Sequence, residues 1–98
     1  MDNLDAKEYM ILIVKVFLQQ HPEFSFKYLL DYCIYDNSTV HILEYTHPDG
    51  KVSDDLQFEM YEFIDRKFVK KFPYQGVCII SPDDEIKVWD MSEAEIIK

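Results

Sequence analysis

The chain has 98 residues, 48% of them apolar and 15% aromatic, with only two glycines and four prolines. That is far from the composition of disordered chains, and a chain this long can build one core and not two, so residues 1–98 read as a single domain. Nineteen acidic residues against ten basic ones, with a single arginine, give a net charge of −9. This excludes the basic footprint by which proteins displace counterions from nucleic acid.

At the amino end, Met1-Asp2-Asn3-Leu4-Asp5 lacks the basic leading segment of a secretory signal, which implies a cytoplasmic protein. Asp5, with Glu8 three residues on, has the form of a capping box, so a helix is expected to start there. Residues 9–18 (YMILIVKVFL) are apolar almost all round and interrupted by Lys15. The run is about half as long as a membrane span, so no membrane segment is expected. Its β-branched residues also suit a strand, but the cap, the unbroken length and the stop at Pro22 favour a helix. So narrow a polar face asks for burial on most sides, part of which a second copy of the chain in a homodimer could supply.

From Phe24 the apolar residues alternate, through Phe26, Tyr28, Leu30, Tyr32 and Ile34, which predicts a strand. Phe26, Leu29, Leu30, Cys33 and Ile34 also fall at helical spacing, and the aromatic richness decides for strand. After the turn Asp36-Asn37-Ser38, residues 39–46 (TVHILEYT) supply a second strand and complete a hairpin. Asn37-Ser38-Thr39 matches a glycosylation acceptor but reads as turn chemistry. His47-Pro48-Asp49-Gly50 has the pattern of a type I turn.

Ser53 caps the clearest helix, Asp54 to about Phe72, with Leu56, Met60, Phe63, Ile64, Phe68 and Phe72 on its apolar face. Asp55, Glu59, Glu62, Arg66 and Lys70 form its wet face. Acids fill its first turns and Arg66, Lys67, Lys70 and Lys71 its last, complementing the helix dipole. After Pro73, residues 76–81 and 85–89 read as a second hairpin around Pro82-Asp83-Asp84, and Ser92 with Glu95 as the cap of a last helical turn. Residues 16–22 fall over 67–73 at an offset of 51, so the halves look alike. The expected fold is α+β: two helix–hairpin (αββ) units forming a four-stranded antiparallel sheet, with two helices packed on one face.

Chemistry is conspicuous by what is missing. Gly50 and Gly76, the only glycines, cannot build a phosphate-cradling loop, and GxSxG, HExxH and CxxC are all absent. Cys33 and Cys78 share no motif and read as reduced thiols. Cys33 and His41 could face each other across the first hairpin, the seed of a thiol nucleophile, a small-molecule site or a metal site. No orienting third group is visible, and ordinary packing, with the histidine on an exposed strand face, is the plainer reading. Asp83-Asp84-Glu85 lacks the alternation and glycine of a calcium loop, so no metal or other cofactor is expected.

Two acidic patches remain, Asp54, Asp55, Glu59, Glu62 and Asp65 on the second helix, and Asp83, Asp84, Glu85, Asp90, Glu93 and Glu95 in the carboxyl-terminal third. Tyr61 and Trp89 lie close to them in sequence and are suited to anchor an interface. The leading expectation is a non-enzymatic protein that docks and neutralises a basic, nucleic-acid-acting protein, in the manner of an immunity protein, antitoxin or phage-encoded inhibitor. The alternatives are a self-associating accessory subunit or chaperone built on the apolar first helix, and a small-molecule binder or enzyme using Cys33 and His41.

Overall fold

A computed structural model describes residues 5–32, 38–50, 52–82 and 90–97. Helix α1 runs Ala6–Gln20, and the Asp5 carboxylate accepts the Glu8 amide at 2.8 Å as its cap. Met10, Ile13, Val14 and Phe17 form its buried stripe; Leu12 and Val16 stay exposed. Strands β1 (Ser25–Tyr32) and β2 (Thr39–Thr46) pair antiparallel over their whole length, from Ser25 opposite Thr46 to Tyr32 opposite Thr39. Among the described residues no helix is long and apolar enough to cross a membrane.

The turn after β2 closes with the Gly50 amide donating to the His47 carbonyl at 2.9 Å, and Gly50 sits at φ 75°. A Cβ there meets nothing within 4 Å, so only backbone strain opposes a side chain. Gly50→Ala is therefore expected to cost about 1–2 kcal/mol, read as a lower urea midpoint with unchanged slope.

Ser53 caps helix α2 (Asp54–Lys71), which buries Met60, Ile64 and Phe68. Strand β3 (Gly76–Ile80) then adds to β2 in parallel, Val40 opposite Gly76 and Glu44 opposite Ile80. A 3-10 turn (Met91–Glu93) leads into β4 (Glu95–Ile97), which pairs antiparallel with β1, Phe26 opposite Ile97. The sheet order is β3-β2-β1-β4.

Among the described residues the α+β class, the two helices and a four-stranded sheet match expectation, with three of the strands where expected; the all-antiparallel pairing does not. Helix α2, at 1.5 Å per residue, spans about 27 Å, and the eight residues of β2 span about the same. The helix thus carries the chain back along the full strand, and β3 sets out in the same direction as β2. Among the described residues the resemblance between halves holds at the helix ends. His21 and Phe72 each donate their amide to the carbonyl four residues back, Phe17 and Phe68, and Phe24 and Gln75 each close the following turn. The predicted strand 85–89 lies outside the described residues. Residues 95–97 form a strand rather than a helical turn, because Ile97 is drawn into the core, and Asp90 rather than Ser92 caps the short turn, accepting the Ser92 amide at 3.0 Å.

Alternate strand residues, Phe26, Tyr28, Leu43, Tyr45, Val77, Ile79 and Ile97, join both helices in the main core. On the other face Ile42, Ile80 and Met91 form a smaller cluster, with Leu29, Val40, Cys78 and Ala94 packed against it. Strand β2, central and covered on both sides, is buried from His41 through Tyr45. Helix α2 is left with one long face turned outward.

Candidate interaction surface

The outward face of α2 carries the first predicted acidic patch. Asp54 and Asp55 are exposed in its first turn, where the helix amino end favours negative charge. Glu59 is exposed one turn on, its carboxylate 3.7 Å from the His21 imidazole, and Glu62 holds Arg66 at 3.1 Å. Burial pushes the Asp65 carboxyl above its ordinary range. Asp83, Asp84, Glu85 and Trp89 lie outside the described residues.

Tyr61 is half-buried; its hydroxyl donates to the Ile79 carbonyl at 3.5 Å and accepts from the Gln57 amide at 3.2 Å. The aromatic side chain that stands out among the acids is instead Phe58, 63% exposed. Phe58 lies off the core face, so a pattern searched for the core does not mark it. Its spacing, three residues after Asp55 and four before Glu62, nevertheless puts it in the middle of their stripe. Two open grooves flank the ridge it begins. The larger, about 640 Å³, is lined by Phe58, Glu59, Glu62, Phe63, Arg66, Lys67 and Lys70. The smaller, about 360 Å³, lies between Phe58, Tyr61, Asp65 and Val69. The Lys67 ammonium sits 5.1 Å from the Phe63 ring centroid. Charge along the face changes sign near its middle, with acids toward the amino end and bases toward the carboxyl end.

His41 is not on an exposed face: it is 1% exposed, on the helix side of the sheet, with Phe68 4.7 Å away. The Tyr28 hydroxyl donates to its Nδ1 at 2.6 Å, and its Nε2–H donates to the Gln75 side-chain oxygen at 2.5 Å. Burial lowers the His41 pKa, partly opposed by Gln75 and Asp5, so the ring is neutral. Burial, reinforced by the carboxylates of Asp5 and Glu95, drives the Tyr28 hydroxyl well above its ordinary value. The chain of hydrogen bonds ties β1, β2 and the segment before β3 together. Across the hairpin His41 pairs with Leu30; Cys33 lies outside the described residues. Both ring nitrogens being engaged, His41 is suited to pinning the strands rather than to taking a proton from a substrate.

Among the described residues no three histidine, cysteine or carboxylate side chains are gathered to hold a metal ion, and no buried side-chain polar atom lacks a partner. Comparison with protein-family models, curated proteins and solved structures returned no match.

Proposed function

We propose that this chain is a small non-enzymatic interaction protein that docks a basic partner protein on the acidic half of α2 and so occupies the surface with which that partner engages nucleic acid. The observation that carries the reading is Phe58, a large apolar side chain left 63% exposed amid Asp54, Asp55, Glu59 and Glu62. An exposed aromatic ringed by carboxylates combines the two elements of a steered interface, an anchor that fills a pocket and charges that guide encounter. The net charge of −9 extends the same field over the molecule. Immunity proteins, antitoxins and phage-encoded inhibitors of nucleic-acid-acting proteins are the functional types that fit.

Capture from a cell lysate at low and high salt tests this. A basic protein should be retained at low salt and released as salt rises. With that protein purified, Phe58→Ala is expected to weaken binding about tenfold or more, and Glu59→Lys to slow association and flatten the salt dependence. Retention of no basic protein, or binding indifferent to both salt and Phe58→Ala, would sink the proposal.

A further inference from the structure

The same helix has a property that a basic partner does not need. Read along its outward side, α2 presents Asp55, Phe58 and Glu59, then Glu62 and Phe63 near its midpoint, then Arg66, Lys67 and Lys70. The order of charge inverts about the middle of the helix. Such a face is complementary to a copy of itself only when that copy is turned end for end. A parallel copy would set acid against acid and base against base.

We propose that α2 pairs antiparallel with α2 of a second copy of this chain across a two-fold axis. With the crossing at Glu62 and Phe63, Asp55 faces Lys70 of the second copy and Glu59 faces Arg66 of the second copy. Phe58 meets Lys67 of the second copy, where an ammonium over its ring adds a cation–π contact. A two-fold axis repeats each contact, so one match of sequence with sequence is used twice. The groove of about 640 Å³ along this side supplies the recess, with Phe58 and Phe63 as its apolar lining and charges of both signs at its rim. The opposed helix dipoles favour the same arrangement.

The contact uses one helix from each side and falls toward the small end of specific interfaces, below about 1,200 Å². Exposed ion pairs contribute little singly and are screened by salt. The pairing is therefore weak, reversible and strongest at low ionic strength. It differs from a dimer through α1, which would bury the exposed Leu12 and Val16 and leave the charges of α2 unused. It also stands independently of the basic-partner reading, since it needs the basic half of α2 as much as the acidic half.

Analytical ultracentrifugation of the full chain, from about 10 μM to about 1 mM and at low and high salt, tests it. The mass should climb toward twice the monomer with concentration at low salt and fall back at high salt. Glu59→Lys and Arg66→Glu should each raise the dissociation constant about tenfold or more, since each turns both symmetric contacts repulsive. Mixing the two variants should restore association. One contact then sets the Glu59→Lys side chain of one copy against the Arg66→Glu side chain of the other, and the second contact keeps its native Arg66 and Glu59. Asp55→Lys with Lys70→Glu is a second pair for the same test should either first variant lose its helical circular dichroism. A wild-type chain that stays monomeric at about 1 mM in low salt, reversals without effect, or a mixture that fails to re-associate would each overturn the proposal. Arg66→Glu leaves Asp54, Asp55, Phe58 and Glu59 in place, so it should keep its basic partner while losing its second copy. The failure of one reading is thereby separated from failure of the other.

Discussion

Phe17→Ala is expected to lower the free energy of unfolding by about 3–5 kcal/mol. Phe17 is 1% exposed and lies where α1, β1 and α2 meet, with ring centroids of Phe24 at 5.4 Å, Phe26 at 6.0 Å and Phe63 at 5.8 Å around it. Its truncation removes the transfer free energy of a buried ring and leaves a cavity that three separate elements cannot jointly collapse. Against a total stability of about 5–15 kcal/mol for a domain, that is a loss large enough to populate unfolded chains at physiological temperature. Val16→Ala, next in sequence but 37% exposed, should cost well under about 1 kcal/mol. Urea unfolding of the two variants side by side checks the pair, and equal losses would mean that α1 packs through another face.

Acid should weaken the fold through His41. Its folded pKa lies below its unfolded value, so between the two the unfolded chain binds a proton that the native chain refuses. Stability is then complete above the unfolded value of about 6.5 and declines as the pH falls below it. Tyr28 acts at the other end. Its raised pKa means that above about pH 10 the unfolded chain ionises while the native one does not, so stability declines again as pH rises. Maximum stability is expected between these limits. In His41→Leu the acid decline should be shallower than in wild type, measured as unfolding free energy at about pH 7.5 and about pH 5 in matched salt. An unchanged slope would refute the assignment. At neutral pH Tyr28→Phe should cost about 1–3 kcal/mol by leaving Nδ1 of His41 buried without a donor. Tyr28→Phe with His41→Leu should cost less than the sum of the two, since the double change removes the orphaned atom as well as its partner.

Much of this architecture is legible in the residues. Asp5, Ser53, Pro22 and Pro73 bound the two helices, and the alternation from Phe24 to Tyr32 marks β1 as a strand rather than a helix. Three features are hidden for identifiable reasons. The parallel β2–β3 pairing is masked by the local similarity of the two helix exits, although the length of α2 already requires the chain to return along the strand. The burial of His41 escapes notice because histidine usually reads as a surface residue; the want of clean alternation from Val40 to Tyr45 is the sign that β2 is covered on both faces. The acids of α2 can be found from charge alone. Phe58 needs the helix face worked out residue by residue, because an exposed aromatic leaves no mark in a pattern searched for its core.

The pairing of β4 with β1 has a bearing on how the chain acquires its structure. Strand β1 lies early in the sequence, yet one of its edges is completed only by residues 95–97, and the Lys7–Glu95 contact at 3.1 Å ties the start of α1 to the same late segment. While the chain is being synthesised, the hairpin of β1 and β2 must therefore wait with the edge of Phe26 and Tyr28 unclosed. An open edge bearing aromatic residues invites pairing with another nascent chain. Closing so long a loop also carries an entropic cost that local pairing of β1 with β2 does not. Until residues 95–97 arrive, the edge at Phe26–Tyr28 is open to such pairing, and their arrival closes it.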